Sequence, residues 1–185
     1  MAKLYDQLME DHANLARVLK VLEEEIARYG SEERCEDCQP DLPLIEEILE
    51  YMHYYPESFH HPLEEAAFNY LIENGICTAQ DTATITEQHH KLSEAEEQLR
   101  EMVNAIDTGT PVPLERLRSH LRDYLDLLSE HIRNEEHDVF PHIRELDEEA
   151  ERRIRQQVKT RMDPLSSENS EKQFNELLRY IDRTH

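Results

Sequence analysis

Residues 131–143 read HIRNEEHDVFPHI. They continue a stripe of Leu114, Leu117, Leu121, Tyr124 and Leu128, whose steps of three and four residues mark one face of an amphipathic helix. The next positions on that face are His131 and Glu135, and only then Val139 and Ile143. A packed stripe ordinarily carries Leu or Ile throughout, because a buried imidazole or carboxylate is costly unless paired or bound to a metal. The stretch FHHPLEEAAF, residues 59–68, repeats the pattern, with His60 followed four residues later by Glu64. Positions i and i+4 share one helix face a turn apart.

Working outward, three more helices follow from the same periodicity. Residues 2–28 carry Leu4, Leu8, His12, Leu15, Leu19, Leu22 and Ile26. A loop over 29–43 leads to a second helix, 44–73, in which Pro56 is expected to kink or split the helix. Gly75 is placed to stop it. A third helix, 79–106, shows Ile85, His89, Leu92, Leu99, Met102, Val103 and Ile106. The turn 107–113 precedes the fourth, where Pro141 should bend or interrupt the chain. Short connections imply an all-α, up-down-up-down four-helix bundle.

The tail divides differently. Residues 144–161 are densely charged and read as an exposed helix. DPLSSENS, 163–170, reads as a linker, and KQFNELLRYI, 172–181, as a short amphipathic helix with Phe174, Leu177, Leu178 and Ile181 facing inward. The expected organisation is a bundle over 1–148 and a helical extension over 149–185 that packs on it.

Composition agrees with this class. Of 185 residues only three are Gly and none is Trp, and helix-forming Glu, Leu, Arg, Gln and Ala dominate. Forty-two acidic against twenty basic side chains give a formal charge of −22, which repels phosphates and argues against nucleic acid or an anionic membrane as partner. No apolar run approaches the roughly 20 residues of a membrane span. The N-terminus lacks a signal-peptide core, so a cytoplasmic location is expected. Three cysteines do not suggest a disulfide framework.

The stripe histidines share one height. His60 lies 15 residues before Gly75 and His89 14 after it; His89 and His131 each lie 21 from residue 110. His12 is 17 residues before Tyr29, and His60 is 18 after Leu42. At ~1.5 Å per residue these mismatches amount to about one residue rise. One histidine on an apolar face is ordinarily a satisfied core residue. Four at one level, joined by Glu64 and Glu135, point to a metal. Imidazole and carboxylate without thiolate suit iron, manganese, zinc or copper, and six side chains exceed the needs of one tetrahedral zinc. Two ions bridged by the glutamates, with iron as the natural choice, satisfy the set.

With these pieces in hand, DHANL with His12, FHHPLEEAAF with His60 and Glu64, EQHHKL with His89 and HIRNEEHDVFP with His131 and Glu135, the chain resembles the hemerythrin-like, or HHE cation-binding, family over about residues 1–145. The trailing DPL and amphipathic segment look like one bacterial branch. The resemblance implies two non-haem irons with an oxo or hydroxo bridge. His12, His60, His89 and His131 would be terminal ligands, and Glu64 and Glu135 would bridge. Another divalent ion, zinc or nickel, can occupy such a site in crystals. Oxygen carriers of the family have a second histidine four residues after the one on the third helix, and Ser93 stands there. That directs the reading toward sensing, nitric oxide or peroxide handling, or iron-centre repair. His61 is the candidate for a fifth nitrogen, since some members place a ligand there, and His90 reads as a surface or outer residue. Oxygen carriers use the later of two adjacent acids on the fourth helix, so Glu136 competes with Glu135. The implied function is to bind or react with O2, NO or peroxide. The alternative is a non-enzymatic iron, redox or oxygen sensor or metal-handling module. Turnover and oligomeric state stay open.

Three further features stand apart. His53 is seven residues before His60, too far to share its ions, and reads as bonded to a neighbouring helix or lining an access route. Tyr124 faces inward as ordinary core or as a hydrogen-bond donor near the site. Cys35 and Cys38 form a Cys-x-x-Cys pair in a loop with no strand before it, read as reduced and inert, with a regulatory disulfide as the alternative.

Overall fold

The computed structural model describes residues 3–28, 40–161 and 164–184, with side chains over 3–28, 40–158 and 172–184; Cys35 and Cys38 lie outside this set. Among the described residues the secondary structure is entirely helical. Helix α1 spans Leu4–Arg28, α2 Leu42–Tyr55, α3 His61–Glu73, α4 Ala79–Asp107, α5 Leu114–Asn134, α6 Phe140–Arg144, α7 Glu148–Arg161 and α8 Pro164–Thr184.

Local chemistry sets the ends. Asp41 accepts a hydrogen bond from the Leu44 N–H, and Pro43 occupies the first turn of α2, where a missing N–H does no harm. Thr78 and Asp81 cap α4 reciprocally. Gly75 and Gly109 follow α3 and α4 at φ +69° and +80°, the left-handed conformation that glycine adopts without strain.

Of the two prolines expected to kink or interrupt helices, Pro56 opens a π turn and Pro141 follows one. Between α2 and α3, residues Pro56–His60 form a π turn, and the His61 N–H reaches back five residues to the Pro56 carbonyl. Between α5 and α6, residues Glu135–Val139 form a second, with Phe140 N–H bonded to the Glu135 carbonyl. A proline stands two residues beyond each turn, Pro62 and Pro141. Each lacks an N–H and crowds the carbonyl four residues back, so a wide turn just before it relieves the clash without ending the helix. The wide turn also lets adjacent residues face inward together: Val139 and Phe140 are both fully buried.

Helix α1 packs on α2 and α5, and α4 packs on α2 and α5. Two apolar clusters result. One holds Leu22, Ile48, Leu99, Leu121 and their neighbours; the other holds Leu8, Leu71, Ile85, Phe140 and theirs. His12, between Leu8 and Leu15, and His89, between Ile85 and Leu92, fall where the clusters meet.

The tail departs from expectation in two places. Helix α7 is not simply exposed, for Ala150, Ile154 and Val158, spaced by fours, are buried, and α7 packs on α3. The presumed linker 163–170 is helical from Pro164 onward, so 172–181 is the end of a longer α8. Proline at a first helical position supports that start. Phe174, Leu177 and Ile181 are buried as expected, and α8 packs on α1 and α2.

Candidate metal centre

The fold brings His12, His60, His61, Glu64, His89, His131 and Glu135 together. His61, His89 and His131 form one group and His12, His60, Glu64 and Glu135 a second, with one donor atom from each member within 4.8 Å of the others in its group. The π turn ending at His60 explains how adjacent histidines serve different groups. His61 stacks on His89 with ring centroids 3.8 Å apart, while His60 lies 5.0 Å from His12.

Each carboxylate faces both groups. Glu64 turns Oε1 to His60 Nε2 at 3.4 Å and Oε2 to His89 Nε2 at 3.5 Å. Glu135 turns Oε2 to His12 Nε2 at 3.0 Å, and Oε1 to His131 Nε2 at 2.9 Å and His89 Nε2 at 3.4 Å. Both glutamates are 0% exposed. Neither oxygen of Glu64 makes a hydrogen bond, and Glu135 Oε2 and His12 Nε2 also lack one of good geometry. Buried polar atoms without partners are uncommon, and these converge on one point. The donor set of imidazoles and carboxylates, with its unsatisfied atoms pointing inward, could hold a metal.

Outer carboxylates orient the rings. His12 Nδ1–H donates to Glu136 at 3.0 Å, His60 Nδ1–H to Asp11 at 3.1 Å and His61 Nδ1–H to Glu57 at 3.2 Å. The Tyr55 hydroxyl holds the other Asp11 oxygen at 2.6 Å. This is how histidine ligands are commonly fixed in tautomer and direction. Glu136 therefore sits outside the carboxylate layer that Glu135 occupies. His90 is exposed. Asp11, Glu57 and Tyr55 were not legible as partners, because a chain with 42 acids offers no signal to separate them.

Electrostatics without an ion follow the geometry. Burial alone would depress His60, but Glu64 and Asp11 hold it well above the usual imidazole range. Burial opposes protonation of His89 too, yet Glu135 and Glu64 push it up to about 9. Burial would raise Glu135, but the imidazoles of His12, His131 and His89 close around it hold it well below the carboxylate range. Burial lowers His61, and Glu57 only partly offsets this. Protons thus stand where cations would bind.

A cavity of about 50 Å³ adjoins the imidazoles, walled by Leu15, Met52, Leu92 and Leu128. About 10–15 Å³ of such space holds a water, so the cavity suits a few waters or a diatomic molecule. Exposed Ser93 and Glu57 stand at its rim. His53 is hydrogen-bonded to Glu96 of α4 at 2.8 Å, and both line the cavity with Tyr124. Glu96 is missing from the expected stripe, although the seven-residue gap between Leu92 and Leu99 marks its position. Cys77, buried within the α3–α4 turn, takes no part.

Residues 3–143 match the sequence profile described as the hemerythrin HHE cation binding domain. No curated protein and no solved structure matches the chain.

Proposed function

The chain belongs to the hemerythrin HHE cation-binding domain family, and on that premise we propose that it is a non-haem di-iron protein that binds or reacts with O2, NO or peroxide. The observation that carries this is the division of donors: three imidazoles on one side, two on the other, and two fully buried carboxylates with an oxygen toward each. In this reading His61, His89 and His131 would hold one ion and His12 and His60 the other, with Glu64 and Glu135 as the carboxylate ligands between them. A pair of irons supplies electrons and an open position for a small ligand. The protein's own part is to hold the rings through Asp11, Glu57 and Glu136, and to limit the ligand by the small apolar-walled cavity.

The bundle over 1–148, its up-down-up-down four-helix topology, the extension over 149–185, the bacterial branch and a cytoplasmic location belong to the same proposal. The charge of −22 supports the absence of nucleic-acid and anionic-membrane partners, and no helix among the described residues is long and apolar enough to cross a membrane.

A second reading, a non-enzymatic sensor, is favoured by one set of contacts. Phe174 of α8 packs on Tyr51, Tyr55 and Phe59, and Tyr55 reaches His60 through Asp11. The two readings separate when iron-loaded protein meets excess peroxide. Sustained O2 release marks an enzyme. A stoichiometric spectral change, with altered protease access to α8, marks a sensor. Neither peroxide nor NO altering the spectrum would contradict both.

A further inference from the structure

His53, Glu96 and Tyr124 lie seven residues from His60, His89 and His131, on the same side of the metal layer. Seven residues are two helical turns, about 10 Å. All six side chains line the one cavity. The bundle therefore carries a second polar level where a packed core would be apolar. Glu96 is 3% exposed, whereas the side chain of His53, 2.8 Å away, is 27% exposed. Both members line the cavity, and His53 also meets solvent.

We propose that His53 and Glu96 are a proton-transfer pair at the outer wall of the cavity, moving protons between solvent and a small ligand held at the metal layer. The proposal rests on reading the cavity as the ligand site. A neutral acid entering the cavity gives its proton to the Glu96 carboxylate, directly or through a water. Glu96 passes a proton to the His53 ring nitrogen, and the imidazolium releases one to bulk water. The anion stays in the cavity, and both side chains return to their starting forms.

The surroundings suit this. Arg100 Nε lies 3.5 Å from Glu96 Oε1, close enough to steady the anion without a hydrogen bond. Burial raises the Glu96 carboxyl, with neighbouring Glu97 adding to the rise, while His53 and Arg100 draw it back; the net shift is upward, toward working pH. Tyr124 faces the pair from α5, its hydroxyl kept protonated by burial and by Glu96. Glu57, on the π turn beside α2, faces His53 from the rim.

The test uses azide as probe on the iron-loaded, oxidised full chain, with metal content and equilibrium azide affinity measured on the same samples. Glu96→Gln keeps the shape but cannot take up a proton. We expect azide association slowed on the order of 10-fold or more, within reach of what a positioned proton donor or acceptor contributes. A solvent deuterium effect on that rate should be lost. Equilibrium affinity should change little, and Glu96→Asp should restore part of the rate. His53→Gln, at a partly exposed position, should slow association likewise and decides the matter if Glu96→Gln does not fold. Wild-type rates and isotope effects in the variants would overturn the pair, as would slowing matched by an equal loss of affinity. A wild-type chain that holds metal yet binds no azide would overturn the ligand-site reading, and the pair with it.

Discussion

Two adjacent acids in the π turn after α5 have different surroundings. Glu135 lies at the centre with both oxygens turned to imidazoles, whereas Glu136 holds His12 from outside. Glu135→Ala should abolish most metal binding, since Glu135 turns an oxygen toward each histidine group and Glu64 already occupies its own place in the layer. Glu136→Ala should keep the stoichiometry and weaken affinity about 10–100-fold, as is usual for an outer partner of a ligating histidine. Competition with a graded series of chelators reads both, and equal losses would contradict the assignment. The pH response has a defined sign. In the metal-free chain, His89 is raised to about 9, so its stabilising charge is complete below its unfolded value near 6.5 and disappears as pH rises through 9. Glu135 is lowered, so its contribution is complete above about 4.5 and is lost as pH falls further. Metal-free protein should thus be most stable between about pH 5 and 7. Metal uptake near pH 7 should release protons, because ligating imidazoles must be neutral. Denaturant titrations across pH and an indicator dye check each. At this scale the inward-facing histidines and glutamates were legible because they interrupt apolar stripes at matched heights. Asp11 was not, because a helix surface rich in acids gives no sign of which one a ring will meet.

At the scale of elements, the π turns are what sequence periodicity could not show. A stripe counted by threes and fours runs through Pro56–His60 without revealing that one turn is wider. The paired inward positions His60–His61 and Val139–Phe140 are its trace. Pro62→Ala restores an N–H and permits an ordinary turn. Its effect on stability should stay within about 1 kcal/mol, while metal affinity falls because His60 and His61 no longer reach both groups. Unchanged affinity would separate the turn from the site. The end of α8 was legible from its amphipathic pattern, its beginning was not, because Ser and Asn suit a linker as well as a first helical turn. Phe174→Ala should cost about 3 kcal/mol of docking, seen as faster proteolysis within α8, with metal content retained.

For the whole molecule, the decisive arrangement is a polar layer between two apolar clusters. Such a layer weakens the core unless something satisfies it. Metal bound at about 100 times its Kd should add about 2.7 kcal/mol, a rise of roughly 5–10 °C in Tm for a chain of this size. The net charge of −22 works with this, since it concentrates cations near the surface. The most direct test is metal content by mass spectrometry on chain purified without chelators or affinity metal, repeated after anaerobic addition of ferrous iron. A di-iron centre predicts about two irons per chain and near-ultraviolet absorption that shifts with azide or peroxide, both lost in Glu135→Ala. Well-folded wild-type chain that holds no metal and takes up none would contradict it.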